Sequence, residues 1–150
     1  MTIVERLATP ADLDGVLAIE DASFNNPTTR EWYEAELKRP EVCHIYVLRI
    51  ADCEVAAFCA FWRVADQIHI NNLAVRPELR GQGLASRLLA EVMAQAEQWG
   101  TISATLEVRR SNTPARQLYA KAGFVEAGVR HNYYTQPVED ALVLVKGAAP

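Results

Sequence analysis

The run Arg80-Gly81-Gln82-Gly83-Leu84-Ala85, followed by Ser86, is the sharpest chemical signal in the chain. Glycines just ahead of a helix let backbone N–H groups turn outward and cradle phosphate oxygens. The positive end of the helix dipole favours the same anion, and Arg80 can add a charge-assisted contact. On these residues alone, an ordinary glycine-containing loop with a solvated arginine fits equally well. Two other phosphate loops fit less well, which disfavours a nucleotide-binding domain. The P-loop string, G-x-x-x-x-G-K followed by Ser or Thr, is absent. The dinucleotide fingerprint G-x-G-x-x-G fails at Ser86, and Arg76-Pro77-Glu78-Leu79 separates the glycines from the preceding strand.

Glu107 interrupts an otherwise apolar strand pattern in Thr105-Leu106-Glu107-Val108. It could lie on an exposed sheet face, the usual state of Glu. It could instead sit in a partly desolvated cleft with a raised pKa, as a general base requires. Tyr119, on an amphipathic stretch, fits a core or boundary aromatic; its phenol could also protonate a leaving thiolate. His44, His69 and His131 share no metal-ligand spacing and read as solvated or structural. No metal site is expected, and no G-x-S-x-G elbow points to a serine hydrolase. Asp12, Asp14, Glu20 and Asp21 read as the solvated face of the first helix. Trp32 and Tyr33, at helical spacing beside Leu37, read as core packing.

The elements that must position these groups follow from periodicity and punctuation. Ile3 to Leu7 reads as a strand. Thr9-Pro10 opens a helix ending near Asp21, with Leu13, Val16, Leu17 and Glu20 on one face. Thr28 and Glu31 form a capping box for a second helix through Lys38. Strands over Cys43 to Ile50, Glu54 to Val64 and Ile68 to Val75 are joined by short turns, which implies an antiparallel meander. Arg76 to Gly83 is a loop, and Leu84 to Trp99 the longest helix, ended by Gly100. A strand over Ile102 to Val108 precedes a helix capped by Asn112 that runs to Ala122. Phe124 to Val129 and Ala141 to Val145 are the last strands, joined by a polar, Tyr-rich loop. The order predicts one α/β (α+β) domain over residues 1–150, with a mixed, mostly antiparallel sheet of about seven strands and about four helices.

Composition fits that frame. The chain has 150 residues, half of them hydrophobic, enough to bury a core without disulfides or metal. A net charge of −4 argues against a surface that grips nucleic acid. Three cysteines, Cys43, Cys53 and Cys59, lie in apolar stretches without a C-x-x-C and read as buried small hydrophobes. No apolar run approaches a membrane span and no signal peptide opens the chain, so a cytoplasmic location is expected.

Taken together, the segments resemble the GNAT family of acetyl-CoA-dependent N-acetyltransferases. The family's loop carries Arg or Gln, two residues, Gly, one residue, then Gly or Ala, which Arg80 to Ala85 fit. Asn71 to Pro77 resemble the strand before that loop, and Asn112 with Leu118-Tyr119 and Gly123-Phe124 resemble the later helix. Leu106 to Arg109, Ser111-Asn112, Arg130 to Tyr134 and Glu139 to Ala141 resemble the RimI branch, which acetylates the N-terminal alanine of a small-subunit ribosomal protein. That branch commonly has Pro-Trp after the first helix, where this chain has Pro27-Thr28.

The resemblance implies that Leu73, Ala74 and Val75 pair with the pantetheine arm as an added strand would. It implies pyrophosphate on the amides of Gly81, Gln82, Gly83, Leu84 and Ala85, with Arg80 and Ser86 nearby and Asn112 and Tyr119 at the thioester end. Glu107 would be the base, Tyr119 the acid, and a backbone N–H near Val75 the oxyanion donor, while Tyr133 and Tyr134 would clamp the acceptor. Acetyl-CoA and the N-terminal peptide of a ribosomal protein would be the partners. Alternatives keep the fold but acetylate a lysine, a polyamine or another small amine, or bind CoA without catalysis.

Overall fold

A computed structural model describes residues 2–6, 10–50 and 54–147. The expected Thr9 cap, the turn at 51–53 and Cys53 lie outside them. Seven strands form one sheet: β1 (Thr2–Arg6), β2 (Cys43–Ile50), β3 (Glu54–Val64), β4 (Gln67–Val75), β5 (Ser103–Arg109), β6 (Val125–Tyr134) and β7 (Glu139–Gly147). Four helices are α1 (Pro10–Ser23), α2 (Arg30–Leu37), α3 (Leu84–Gln98) and α4 (Thr113–Lys121), with a 3-10 turn at Pro77–Leu79. Among the described residues the sheet runs β1-β2-β3-β4-β5-β7-β6, and only the β4–β5 pair is parallel. A single GNAT-like α+β domain, a meander followed by a crossover through α3, is what the sequence predicts.

The strands in the middle are covered on both faces, so they read as continuous apolar runs. Alternate side chains go to opposite layers. Ile45, Val47, Phe58 and Ala60 join Leu13, Val16 and Ile19 of α1 in one cluster. Leu48, Ala57, Cys59 and Phe61 join Leu88, Leu89 and Val92 of α3 in the other, which also takes Tyr119 and Phe124. Cys43 and Cys59 are buried thiols, as expected.

Several local expectations are corrected. Thr29, not Thr28, caps α2 by accepting from the Trp32 amide. Asp12 and Glu20 are buried, not solvated. Asp12 pairs with Arg49 at 2.7 Å, and Glu20 has three polar partners described below. Tyr33 is core, but Trp32 is 53% exposed and Leu37 is exposed too. The β6 strand runs on through Tyr134, so Tyr133 and Tyr134 stand on a strand and not in a loop. Its outer half pairs only with β7 at the sheet edge and is exposed on both faces, so no apolar alternation marks it.

Candidate active site

The central feature is a divergence of strands. β4 pairs with β5 only from Gln67–Ser103 to Ile70–Leu106. Beyond that point β4 continues to Val75 and β5 to Arg109, with no pairing between them. A register shift in the β3–β4 ladder falls beside Asn71, opposite Ala60 and Phe61. Such bulges bend a strand and re-aim its side chains. On the β5 side the stretch from Leu73 to Val75 therefore pairs with no strand, and only the Val75 carbonyl is engaged, by Arg80, so the edge is open to an added extended ligand.

Two cavities meet in this gap. One, of about 230 Å³, is lined by Leu73 of β4, Val108 of β5, and Asn112, Ala115 and Tyr119 at α4. The other, of about 560 Å³, is lined by Pro27, Trp32, Trp62, His69 and Tyr133. Thr28, Asn71, Asn72, Glu107 and Tyr134 line both. Glu107 thus stands where a ligand entering from one side would meet a ligand entering from the other.

Glu107 is not alone. His69 Nε2 lies 2.8 Å from its Oε2 and 3.1 Å from its Oε1, and His69 Nδ1 lies 2.7 Å from Asn71 Oδ1. Two ring nitrogens facing two oxygen acceptors fit the doubly protonated imidazolium. Tyr133 donates from its hydroxyl to Glu107 Oε1 at 3.4 Å. Burial would raise the Glu107 pKa, but the His69 hydrogen bond and charge, with Arg130 and Tyr133, hold it below the ordinary carboxylate range. The Glu107 hydrogen bond raises His69 in turn, against burial. Glu107 is thus neither exposed on a sheet face nor a carboxyl raised by burial, the two readings its position allowed, but a half-buried carboxylate held down by the histidine beside it. His69 is chemically silent in the sequence because Glu107 lies 38 residues away; the one available signal was a histidine alternating with isoleucines in β4.

Tyr119 is buried, with its ring edge-on to Phe124 at 5.4 Å. Burial, with the nearby Cys59 and Tyr134, raises its pKa well above that of a free phenol. It stays protonated at neutral pH, the form an acid needs. Asn112 caps α4 by accepting from the Ala115 amide at 3.2 Å, as its position predicts. Tyr134 lies beneath the Arg109 guanidinium, 4.5 Å from ring centre to Cζ, and makes an edge contact with Tyr133 at 5.0 Å.

The glycine loop lies beyond the end of β4. Gly81 and Gly83 have φ of +80° and +78°, with open space where a Cβ would be. Gly83 is the N-cap of α3 and supplies no side-chain cap, whereas Thr29 and Asn112 cap α2 and α4. The first-turn amides of α3, over Leu84, Ala85 and Ser86, therefore have no side-chain acceptor at the cap, the arrangement that receives an anion. Arg80 does structural work: Nε donates to the Val75 carbonyl at 3.0 Å and Nη2 to Ser23 Oγ at 2.9 Å. It ties the loop to β4 and α1 before it can touch any phosphate.

A bridge runs beside the first cavity, whose lining includes Asn25, Asn26 and Arg109. Asn25 Nδ2 donates to the Gln136 carbonyl at 2.9 Å, and Asn26 Nδ2 to Thr135 Oγ1 at 2.9 Å. Arg109 donates to the carbonyls of Thr135 and Pro137 at 2.8 and 3.0 Å. No group of His, Cys, Asp and Glu suited to a metal occurs among the described residues. No helix there is long and apolar enough to cross a membrane.

Comparison with known proteins accords with this geometry. The Acetyltransferase (GNAT) family profile matches residues 13–124. The chain belongs to the GNAT family. A Bacillus subtilis relative, provisionally named a ribosomal protein bS18-alanine N-acetyltransferase, is 38% identical over 133 residues, 89% of this chain and 87% of its own. The crystal structure of the ribosomal-protein-S18-alanine N-acetyltransferase from Escherichia coli superimposes with a TM-score of 0.89 at 30% identity, covering 100% of this chain and 96% of that one. A chain of the NatC complex bound to Gag peptide and CoA shares the fold, with a TM-score of 0.85 at 19% identity, covering 99% of each. This GNAT chain is thus an acetyltransferase with RimI-like relatives.

Proposed function

We propose that this GNAT enzyme transfers the acetyl group of acetyl-CoA to the N-terminal α-amine, an alanine, of the small-subunit ribosomal protein bS18, in the cytoplasm. The observation that carries the mechanism is the meeting of two cavities at Glu107, with Tyr119 on one side and His69 and Tyr133 on the other. The acceptor is supported by the relatives above.

The edge of Leu73 to Val75, which pairs with no strand on the β5 side, suits the pantetheine amides, and the glycine loop and α3 N-terminus suit the pyrophosphate. When bound, acetyl-CoA supplies an acyl carbon already activated as a thioester. An α-amine has a pKa of about 7.7–8.0, so roughly a tenth is neutral at pH 7, whereas a lysine near 10.4 is almost wholly protonated. The Glu107 carboxylate, kept ionised by His69, accepts the amine proton directly or through water. The nitrogen forms a bond to the acyl carbon, and the carbon–sulfur bond breaks. An unpaired backbone N–H of the outer half of β4, near Val75, stabilises the charge developing on oxygen. The Tyr119 hydroxyl gives its proton to the departing thiolate. Tyr133 and Tyr134 hold the acceptor backbone.

Thr28 stands where the RimI branch commonly has Trp, and Trp32, one turn further on, lines the acceptor cavity. The test uses two short peptides read by mass spectrometry. One begins with a free alanine in a ribosomal-type sequence; the other is N-terminally blocked and carries one lysine. Acetylation of the first alone is expected. Acetylation of the second alone refutes the acceptor and keeps the acetyltransferase. Tight acetyl-CoA binding with neither product points to a small-molecule amine or a non-catalytic CoA-binding module.

A further inference from the structure

Glu20 of α1 is wholly buried, yet it forms part of the wall of the smaller cavity. It accepts from the Tyr33 hydroxyl, from Asn72 Nδ2 and from the Thr28 amide, the last at 3.0 Å. Asn72 Nδ2 also lies 3.1 Å from the Tyr33 hydroxyl and 3.2 Å from Thr28 Oγ1. A carboxylate only accepts, so it fixes which way the Asn72 amide faces. With the nitrogen turned to Glu20, the Oδ1 of the same planar group must point away from the cluster. That oxygen has no hydrogen-bond partner among the described residues. It is also not among their buried unpartnered polar atoms, so it opens to solvent. Asn72 lines both cavities, on the strand opposite Glu107.

From this arrangement we infer that Asn72 is an acceptor-binding residue whose Oδ1 takes a hydrogen bond from the incoming amine, and that Glu20 is the positioning residue that aims it. The inference rests on the α-amine reading above. The amine is then held between two oxygens from opposite sides of the strand divergence. Glu107 takes its proton; Asn72 takes a second N–H and fixes the direction of the nitrogen lone pair. A neutral carbonyl suits this second place, because it binds the amine without competing for the proton. Thr28 donates its amide to Glu20, so the α1–α2 loop and the amine-binding group are set by one carboxylate.

The test measures binding to the enzyme saturated with CoA, where no turnover occurs. The probes are an alanine-initiated ribosomal-type peptide and the same peptide begun with propionyl, which lacks only the amine. Calorimetry on the wild type is expected to show the amine peptide bound tenfold or more tighter, since a hydrogen bond to a charged group contributes about 1.5–3 kcal/mol. Asn72→Ser keeps a donor for Glu20 and withdraws the carbonyl. It is expected to cut that ratio by about tenfold while propionyl-peptide and CoA affinities stay within twofold. Glu20→Gln, which lets the Asn72 amide turn over, should cut the ratio in the same direction and provides the second reading if Asn72→Ser does not fold. An unchanged ratio in the folded variant, or equal weakening of both peptides, overturns the inference. Transfer by the wild type to the lysine peptide alone overturns the α-amine reading instead.

Discussion

Glu107→Gln separates chemistry from structure more cleanly than any other substitution in this site. The Glu107 side chain is 11% exposed and that of His69 28%, so the pair is largely shielded from solvent. The amide keeps a hydrogen bond to the imidazole but loses its charge. A charge-assisted bond contributes about 1.5–3 kcal/mol and a neutral one about 0.5–1.5, so the stability lost is about 1 kcal/mol. For a chain of this length that is a fall of about 2–4 °C in Tm. Loss of a general base costs about 10²–10⁴ in rate, equivalent to about 3–5 kcal/mol of barrier. The activity loss must therefore far exceed the stability loss. The deficit should be greatest at low pH. At pH 6 only about one or two α-amines in a hundred are neutral, against roughly a tenth at pH 7, so proton removal matters most there. The assay is initial-rate release of CoA thiol with an alanine-initiated peptide from pH 6 to 9, alongside acetyl-CoA binding by calorimetry. A kcat/KM within threefold of the wild type at every pH refutes the role of Glu107 as base, as does parallel loss of acetyl-CoA binding. The stability difference has its own pH signature. The lowered Glu107 pKa makes its contribution present above the usual carboxylate range and lost as pH falls through the folded value. The raised His69 pKa makes its contribution full below about 6.5 and lost as pH rises through the folded value. The gap in stability between wild type and variant should therefore peak in the window between, which denaturant titration at pH 3, 6 and 9 reads.

Tyr119→Phe is expected to lower kcat by about a hundredfold with little change in Tm, because the ring packing on Phe124 is kept; unchanged transfer in rapid-quench measurements removes Tyr119 as the acid. Gly83→Trp should abolish acetyl-CoA binding, since φ of +78° strains any side chain there and the indole fills the open space at the head of α3; calorimetry with a retained circular-dichroism spectrum checks it. Arg80→Ala should weaken acetyl-CoA binding and lower Tm together, because it releases Val75 and Ser23; weaker binding with no change in Tm would make Arg80 a phosphate ligand and not a tie.

The order of strands and helices was readable from the chain because each element is specified locally. β2 and β3 occupy the residues that their apolar runs and flanking turns indicate. Asn112 caps α4, and the positive-φ glycines stand before α3 where the phosphate loop was expected. Local signals failed where a residue's environment comes from far away in sequence. Glu20 and Asp12 look like solvent-facing acids on a helix, and only the folded sheet brings Asn72, 52 positions from Glu20, and Arg49 to meet them. Trp32 and Tyr33 are adjacent and similar in type, yet the path of α2 over β2 buries one and turns the other to the cleft. Glu107 was legible as an anomaly in a strand, but its partner was not. Whether its pKa rises or falls is decided by which is stronger, burial or the His69 charge, and that balance exists only after β4 and β5 are side by side. The sequence by itself determined the elements and the glycine loop ahead of α3, since propensity, capping and glycine conformation act over a few residues. Only the tertiary structure decided the cleft, because the strand divergence and the charges across it are relations between segments.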